Sequence, residues 1–145
     1  MKNLFIIIIG AMFLLLSSGV SAKYKITVVV DNIVEIKGKM MIGIYNSDST
    51  FMKKVYSGYA VTLSEEEIVD SSIKVELEPL PEGEYAISLY HDVNSNDNLD
   101  TGAFGIPKEG YGFSNNAKGF MGPPDYEQAK FSLRKDVVIR INLVY

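Results

Sequence analysis

The chain has no cysteine and a single histidine among its 145 residues. Without a thiol there is no disulfide, no thiol nucleophile, no cysteine-ligated zinc and no lipid-attachment box. That absence does not argue for the cytoplasm, because a small exported domain with an adequate core needs no disulfide. Clustered positive charge is missing too. The 14 Lys and Arg are scattered among 18 Asp and Glu, for a formal net charge of −4 that becomes one unit more negative without Lys2. Nucleic acid and anionic membrane are therefore poor partners. No serine or carboxylate stands at a spacing that marks it as a triad partner of His91, and no glycine-rich phosphate loop or zinc motif occurs. A lone histidine on a strand more often hydrogen-bonds a loop than moves protons, so no enzyme is expected.

A long apolar run is the last thing lacking. The stretch from Leu4 to Leu16 reaches only about 20 Å as a helix, short of the roughly 30 Å hydrocarbon core of a bilayer. With Lys2 before it and the small residues SSGVSA after it, the stretch reads as a signal peptide over residues 1–22, with Val20 and Ala22 at the −3 and −1 positions of the cleavage site. The expected location is periplasmic or extracellular, with no transmembrane segment after cleavage. The remaining 23–145 has room for a single domain.

What is present is period-two alternation. Tyr24, Ile26, Val28 and Val30 alternate with Lys25 and Thr27; Met40, Ile42 and Ile44, then Tyr59, Val61 and Leu63, then Ile73, Val75 and Leu77 repeat the pattern. Tyr85, Ile87 and Leu89 make a fifth run, Phe131 and Leu133 a sixth, and Val137, Ile139, Ile141 and Leu143 a seventh. Turn-forming residues separate the runs, as in Asp31-Asn32, Asn46 to Ser49 and PLPEG from Pro79 to Gly83. The expectation is an all-β fold, a seven-stranded antiparallel β-sandwich with one long loop rich in glycine and aromatics. That loop runs from Asp92 to about Gln128, and its Phe104, Ile106, Tyr111, Phe113, Phe120, Met121 and Tyr126 carry too much apolar area for a solvated tail.

The loop opens on HDVNSNDNLD, in which side-chain oxygens recur at alternate positions. Counted as a twelve-residue calcium loop, Asp92 is position one, Asn94 three, Asn96 five, Asn98 a backbone carbonyl at seven and Asp100 nine. Two positions depart from the pattern: Asp97 stands where the sharp turn prefers glycine, and Ala103 where a bidentate glutamate closes the site. Glu109 is the carboxylate that would have to swing back in its place. Two readings stay open, a weak calcium site at Asp92, Asn94, Asn96, Asn98 and Asp100, or a run of Asx turns with solvated carboxylates.

From Gly83 to Leu133 the chain combines G-x-Y-A, then H-D-x-N-x-N-x-x-L-D, then F-G-x-P-x-E-G-Y-G-F-S-N, then Pro124 with Tyr126 and an apolar strand. In this it resembles the bacterial domain-of-unknown-function family 2141, and the earlier IGIYNSDSTF, Ile42 to Phe51, extends the likeness over nearly all of 23–145. Asp97 departs from the glycine that family members often carry. The resemblance implies an exported bacterial domain with an immunoglobulin-like or transthyretin-like (prealbumin-like) sandwich and no established activity. The expected function is a non-catalytic binding or accessory module of the cell envelope, with a protein or glycan as partner. The alternative is an acid–base or hydrolytic enzyme using His91, Asp92, Asp100 and Glu109.

Overall fold

In the computed structural model, which describes residues 21–145, the alternating runs become strands because each has one apolar face to bury. Eleven strands are formed by the described residues: β1 (Lys23–Tyr24), β2 (Ile26–Asp31), β3 (Lys39–Tyr45), β4 (Ser57–Thr62), β5 (Ile68–Val69), β6 (Ser72–Glu76), β7 (Leu80–Pro81), β8 (Gly83–Asp92), β9 (Tyr111–Phe113), β10 (Phe131–Leu133) and β11 (Val137–Asn142). The signal peptide expected at 1–22 lies almost wholly outside the described residues. Each of the seven expected runs contains a strand, the first being divided at Lys25 between β1 and β2, so the count is eleven and not seven; β5, β7 and β9, two or three residues long, were not expected.

Two sheets pack face to face as a sandwich. One has the order β11-β2-β6-β5 and the other β10-β8-β3-β4, with β9 also paired to β8; β1 and β7 form a small separate pair. Ile26, Val28 and Val30 of β2 meet Met40, Ile42 and Ile44 of β3 and Tyr85, Ile87 and Leu89 of β8 in the core between them. The expectation that all neighbours run antiparallel fails at one pair, since β11 lies parallel to β2 from Val137 opposite Ile26 to Asn142 opposite Asp31. Parallel neighbours need a long crossover, and here everything between Asp31 and Val137 serves as one. Alternation reports which face is buried and carries no information on the direction of the neighbour.

The strand partition also differs from that of an immunoglobulin constant-type sandwich, where the first, second, fourth and fifth strands share a sheet. Of the seven long-range strands here, the first, fourth and last (β2, β6, β11) share one sheet, and β3, β4, β8 and β10 the other.

The long segment after β8 folds down over the outer face of the second sheet. Tyr45, Phe51, Ala86, Phe113, Tyr126 and Ala129 form a second, smaller core there, with Tyr126 and Ala129 supplied by the single helical turn α1 (Tyr126–Ala129). Phe51 is its centre, edge-on to Tyr45 at 5.2 Å, Tyr126 at 5.7 Å and Phe113 at 6.3 Å between ring centroids. Ser114 locks this layer to the sheet. β10 pairs with β8 at Gly83–Tyr85 and β9 at Ser88–Tyr90, so the ladder is broken between them. The buried Ser114 hydroxyl fills the break, accepting the Ile87 N–H at 2.8 Å and donating to Ala129 O at 2.5 Å.

Candidate functional site: the Asp92–Glu109 loop

β8 ends by turning two adjacent side chains to opposite uses. His91 is fully buried, and its Nε2 lies 2.8 Å from Lys37 O, which as a carbonyl only accepts, so Nε2 carries the proton. Its buried Nδ1 has no hydrogen-bond partner among the described residues. The backbone beside it is close-packed. Gly38 has φ +73°, and a Cβ there would come 2.1 Å from Asp92 O and 2.8 Å from Val93 Cα, so only glycine lets the start of β3 pass under the end of β8.

Asp92 is equally buried, and its carboxylate is consumed by its own loop. Oδ1 accepts the Asn96 N–H at 3.1 Å and Oδ2 the Asp97 N–H at 2.8 Å. This holds Ser95 (φ 59°) and Asp97 (φ 62°) in the left-handed region, which Asp tolerates better than most residues. Asn94 Oδ1 and Asn96 Oδ1 add Asx-type bonds to the N–H groups of Asn96 and Asn98. Asp100 closes the ring of side chains: the Asn94 amide donates to it at 2.6 Å and the Asn96 amide at 3.1 Å.

Glu109 does reach back, as the sequence required of any substitute for the missing carboxylate. It is buried, and its two oxygens accept the Val93 N–H and the Asp100 N–H, both at 2.9 Å, clipping the two ends of the loop together. Beyond the clip, residues 100–108 form a small hairpin, with Lys108 N–H on Asp100 O and a bridge between Thr101 and Pro107. Its tip, Ala103–Gly105, presents Phe104 at φ 60° and completely exposed, with Ile106 exposed beside it.

All five candidate cation ligands, Asp92, Asn94, Asn96, Asn98 and Asp100, therefore lie in one hydrogen-bonded network, with amide nitrogens rather than oxygens of Asn94 and Asn96 turned toward Asp100. No group of three or more His, Asp or Glu side chains among the described residues is disposed to hold a metal ion. Of the candidate acid–base set, Asp92, Asp100 and Glu109 share the loop, whereas His91 is directed to Lys37 and bonds none of them. An open hollow of about 440 Å³ beside the clip is bordered by Glu35, Asn94, Asp100, Lys108 and Glu109.

The local field is negative. Burial raises the Tyr90 phenol above its ordinary value, and the charges of Asp92, Asp97 and Glu109 push it the same way. Lys39 is raised by its hydrogen bond and ion pair with Asp97, 2.9 Å away, so the one carboxylate at the outside of the turn is the one with a cationic partner. Sequence reasoning missed Ser114 and the use of Glu109 as a backbone acceptor; only the F-G-x-P-x-E-G-Y-G-F-S-N run, which contains both, pointed toward them.

Residues 28–140 match a family model described as "Uncharacterized protein conserved in bacteria (DUF2141)". No curated protein and no solved structure matches the chain.

Proposed function

The chain belongs to domain-of-unknown-function family 2141, and from that premise we propose that it is an exported, non-catalytic binding or accessory module of the bacterial cell envelope, recognising a protein or glycan. The observation that carries this reading is the contrast within the long segment. Its buried carboxylates spend both oxygens on backbone N–H groups, while the hairpin they stiffen holds Phe104 wholly in solvent. An acid–base pair needs a group within reach of a substrate proton, and His91 is buried against Lys37. An aromatic held out on a braced loop suits recognition, since the ring supplies apolar contact at little entropic cost. Export to the periplasm or beyond is supported by Lys2, the Leu4 to Leu16 run and the Val20–Ala22 cleavage pattern. Of the two sandwich types the family resemblance implies, we favour the transthyretin-like one, because the strand partition departs from the immunoglobulin arrangement.

The test is co-sedimentation with purified peptidoglycan and with detergent-extracted envelope protein. The wild type is expected to bind one of them, and the Phe104→Ser/Ile106→Ser double variant, with an unchanged melting temperature, to lose that binding. Failure of the wild type to bind either fraction, or equal binding by the variant, overturns the reading.

A second reading, a weak calcium site at Asp92, Asn94, Asn96, the Asn98 carbonyl and Asp100, is favoured by one observation. Glu109 arrives at the loop where Ala103 leaves the calcium pattern without its closing carboxylate, and among the described residues neither Asp92, Asp100 nor Glu109 has a Lys or Arg ion-pair partner. Calcium would relieve that repulsion once the Asn94 and Asn96 amides turned their oxygens inward.

A further inference from the structure

We propose that β4 is a self-association edge, pairing antiparallel with β4 of a second copy of this chain about a two-fold axis at Ala60. β4 closes one side of its sheet and pairs only with β3. Leu63 N–H donates to Gly38 O, so the bonded pairs of the ladder alternate from there through Met40–Val61, Ile42–Tyr59 and Ile44–Ser57. Gly58, Ala60 and Thr62 therefore turn their N–H and C=O groups away from β3, and no described residue bonds them. Among the other edges, β5 is two residues long and β9 and β10 are three, while β11, as long as β4, carries the charged Arg140 and has its Asn142 N–H taken by Asn116 Oδ1. Gly58 to Thr62 carries no charge or proline, devices by which sheet edges are kept from pairing, and the ladder is irregular only at its start, where the Tyr56 N–H donates to Ile44 O, the register partner of Ser57.

The charges on either side of β4 say which strand it accepts. Lys53 and Lys54 stand exposed before it, Glu65, Glu66 and Glu67 exposed after it, and none of the five makes an ion pair among the described residues. A two-fold axis at Ala60 sets Gly58 opposite Thr62 and Ala60 opposite Ala60, allowing about six new N–H···O bonds. The same axis brings the turn that carries Lys53 and Lys54 on each copy toward the turn that carries Glu65, Glu66 and Glu67 on its partner. A parallel pairing would oppose like charges, so the pattern selects the closed, self-complementary dimer. The result is one continuous sheet across both copies, with Val55 and Tyr56, both about half exposed, flanking the junction.

Sedimentation velocity over a concentration series, on protein purified after expression of the whole chain, tests this. A monomer–dimer equilibrium is expected. Ala60→Pro removes an outward N–H that the β3–β4 ladder does not use, and should abolish the dimer. Lys54→Glu and Glu66→Lys should each weaken it roughly tenfold, and the two together should restore it, which no loss of folding would mimic. A wild type that stays monomeric at every concentration overturns the proposal. So does a dimer indifferent to Ala60→Pro and to both charge reversals, or one that the double reversal fails to restore.

Discussion

At the scale of single residues, the same side chains serve two chemistries that a sequence does not separate. Asp and Asn at alternate positions supply oxygens for a hard cation, and they equally supply acceptors for backbone N–H groups in tight turns. Asp92 to Asp100 was legible as a special loop for that reason, and in it the Asp92 carboxylate accepts the Asn96 and Asp97 N–H groups. What decides its state is where each oxygen points, and two of the asparagines turn nitrogen toward Asp100. Glu109 is the residue on which the loop closes. Glu109→Gln exchanges one acceptor oxygen for an NH2 that faces a backbone N–H, and should cost about 1–3 kcal/mol in a denaturant melt. The exposed Glu127→Gln, whose partner Lys130 is also at the surface, should cost a few tenths of a kcal/mol at most. Equal effects would mean that Glu109 does not hold the loop.

At the scale of elements, alternation located the seven principal strands, and their inward residues, Ile26 to Val30, Met40 to Ile44 and Tyr85 to Leu89, are the core. The short strands and the parallel pairing of β11 with β2 escaped, because two residues show no period and because the pattern of one strand is indifferent to its neighbour's direction. The apolar residues of the long segment, too much area for a solvated tail, divide. Tyr111, Phe113 and Tyr126 join the second core, whereas Phe104, Phe120 and Met121 stand almost completely exposed at turn tips. Composition counts apolar area without saying which side of a turn it lands on. Ser114 couples β8, β9 and α1, and a serine gives no periodic signal. Ser114→Ala should leave the Ile87 N–H and the Ala129 carbonyl buried and unpaired, costing about 2–3 kcal/mol and exposing the Ile87 amide to faster hydrogen exchange. Unchanged exchange at Ile87 would show that water or a backbone shift replaces the hydroxyl.

At the scale of the whole molecule, if the loop clip and the sandwich unfold together, as small single domains usually do, a ligand of the loop reads out in the global melt. If calcium occupies the Asp92–Asp100 loop, a few millimolar should raise the melting temperature by a few degrees, corresponding to about 1.4 kcal/mol at ten times the dissociation constant, and magnesium should do much less. Asp92→Asn should reduce the increment strongly and Asp97→Asn less, since Asp97 faces Lys39 outside the turn. A wild-type melt indifferent to calcium, with Asp92→Asn lowering it because an NH2 then faces a backbone N–H, would leave hydrogen-bonded turns as the full account of the loop.

Contiguous residues were enough for what depends on neighbours along the chain: the all-β class, the inward face of each long strand, the segment that departs from the repeat, and the family. Those follow from periodicity and motif, which are properties of contiguous residues. What depends on residues far apart in sequence emerged with the folded arrangement. It set β11 beside β2, brought Glu109 back to Val93 and Asp100, placed Ser114 in the break between β9 and β10, and left β4 without a neighbour on one edge. Each is a pairing of backbone groups whose partners lie many residues away, and nothing local distinguishes a backbone N–H that will find such a partner from one that will not.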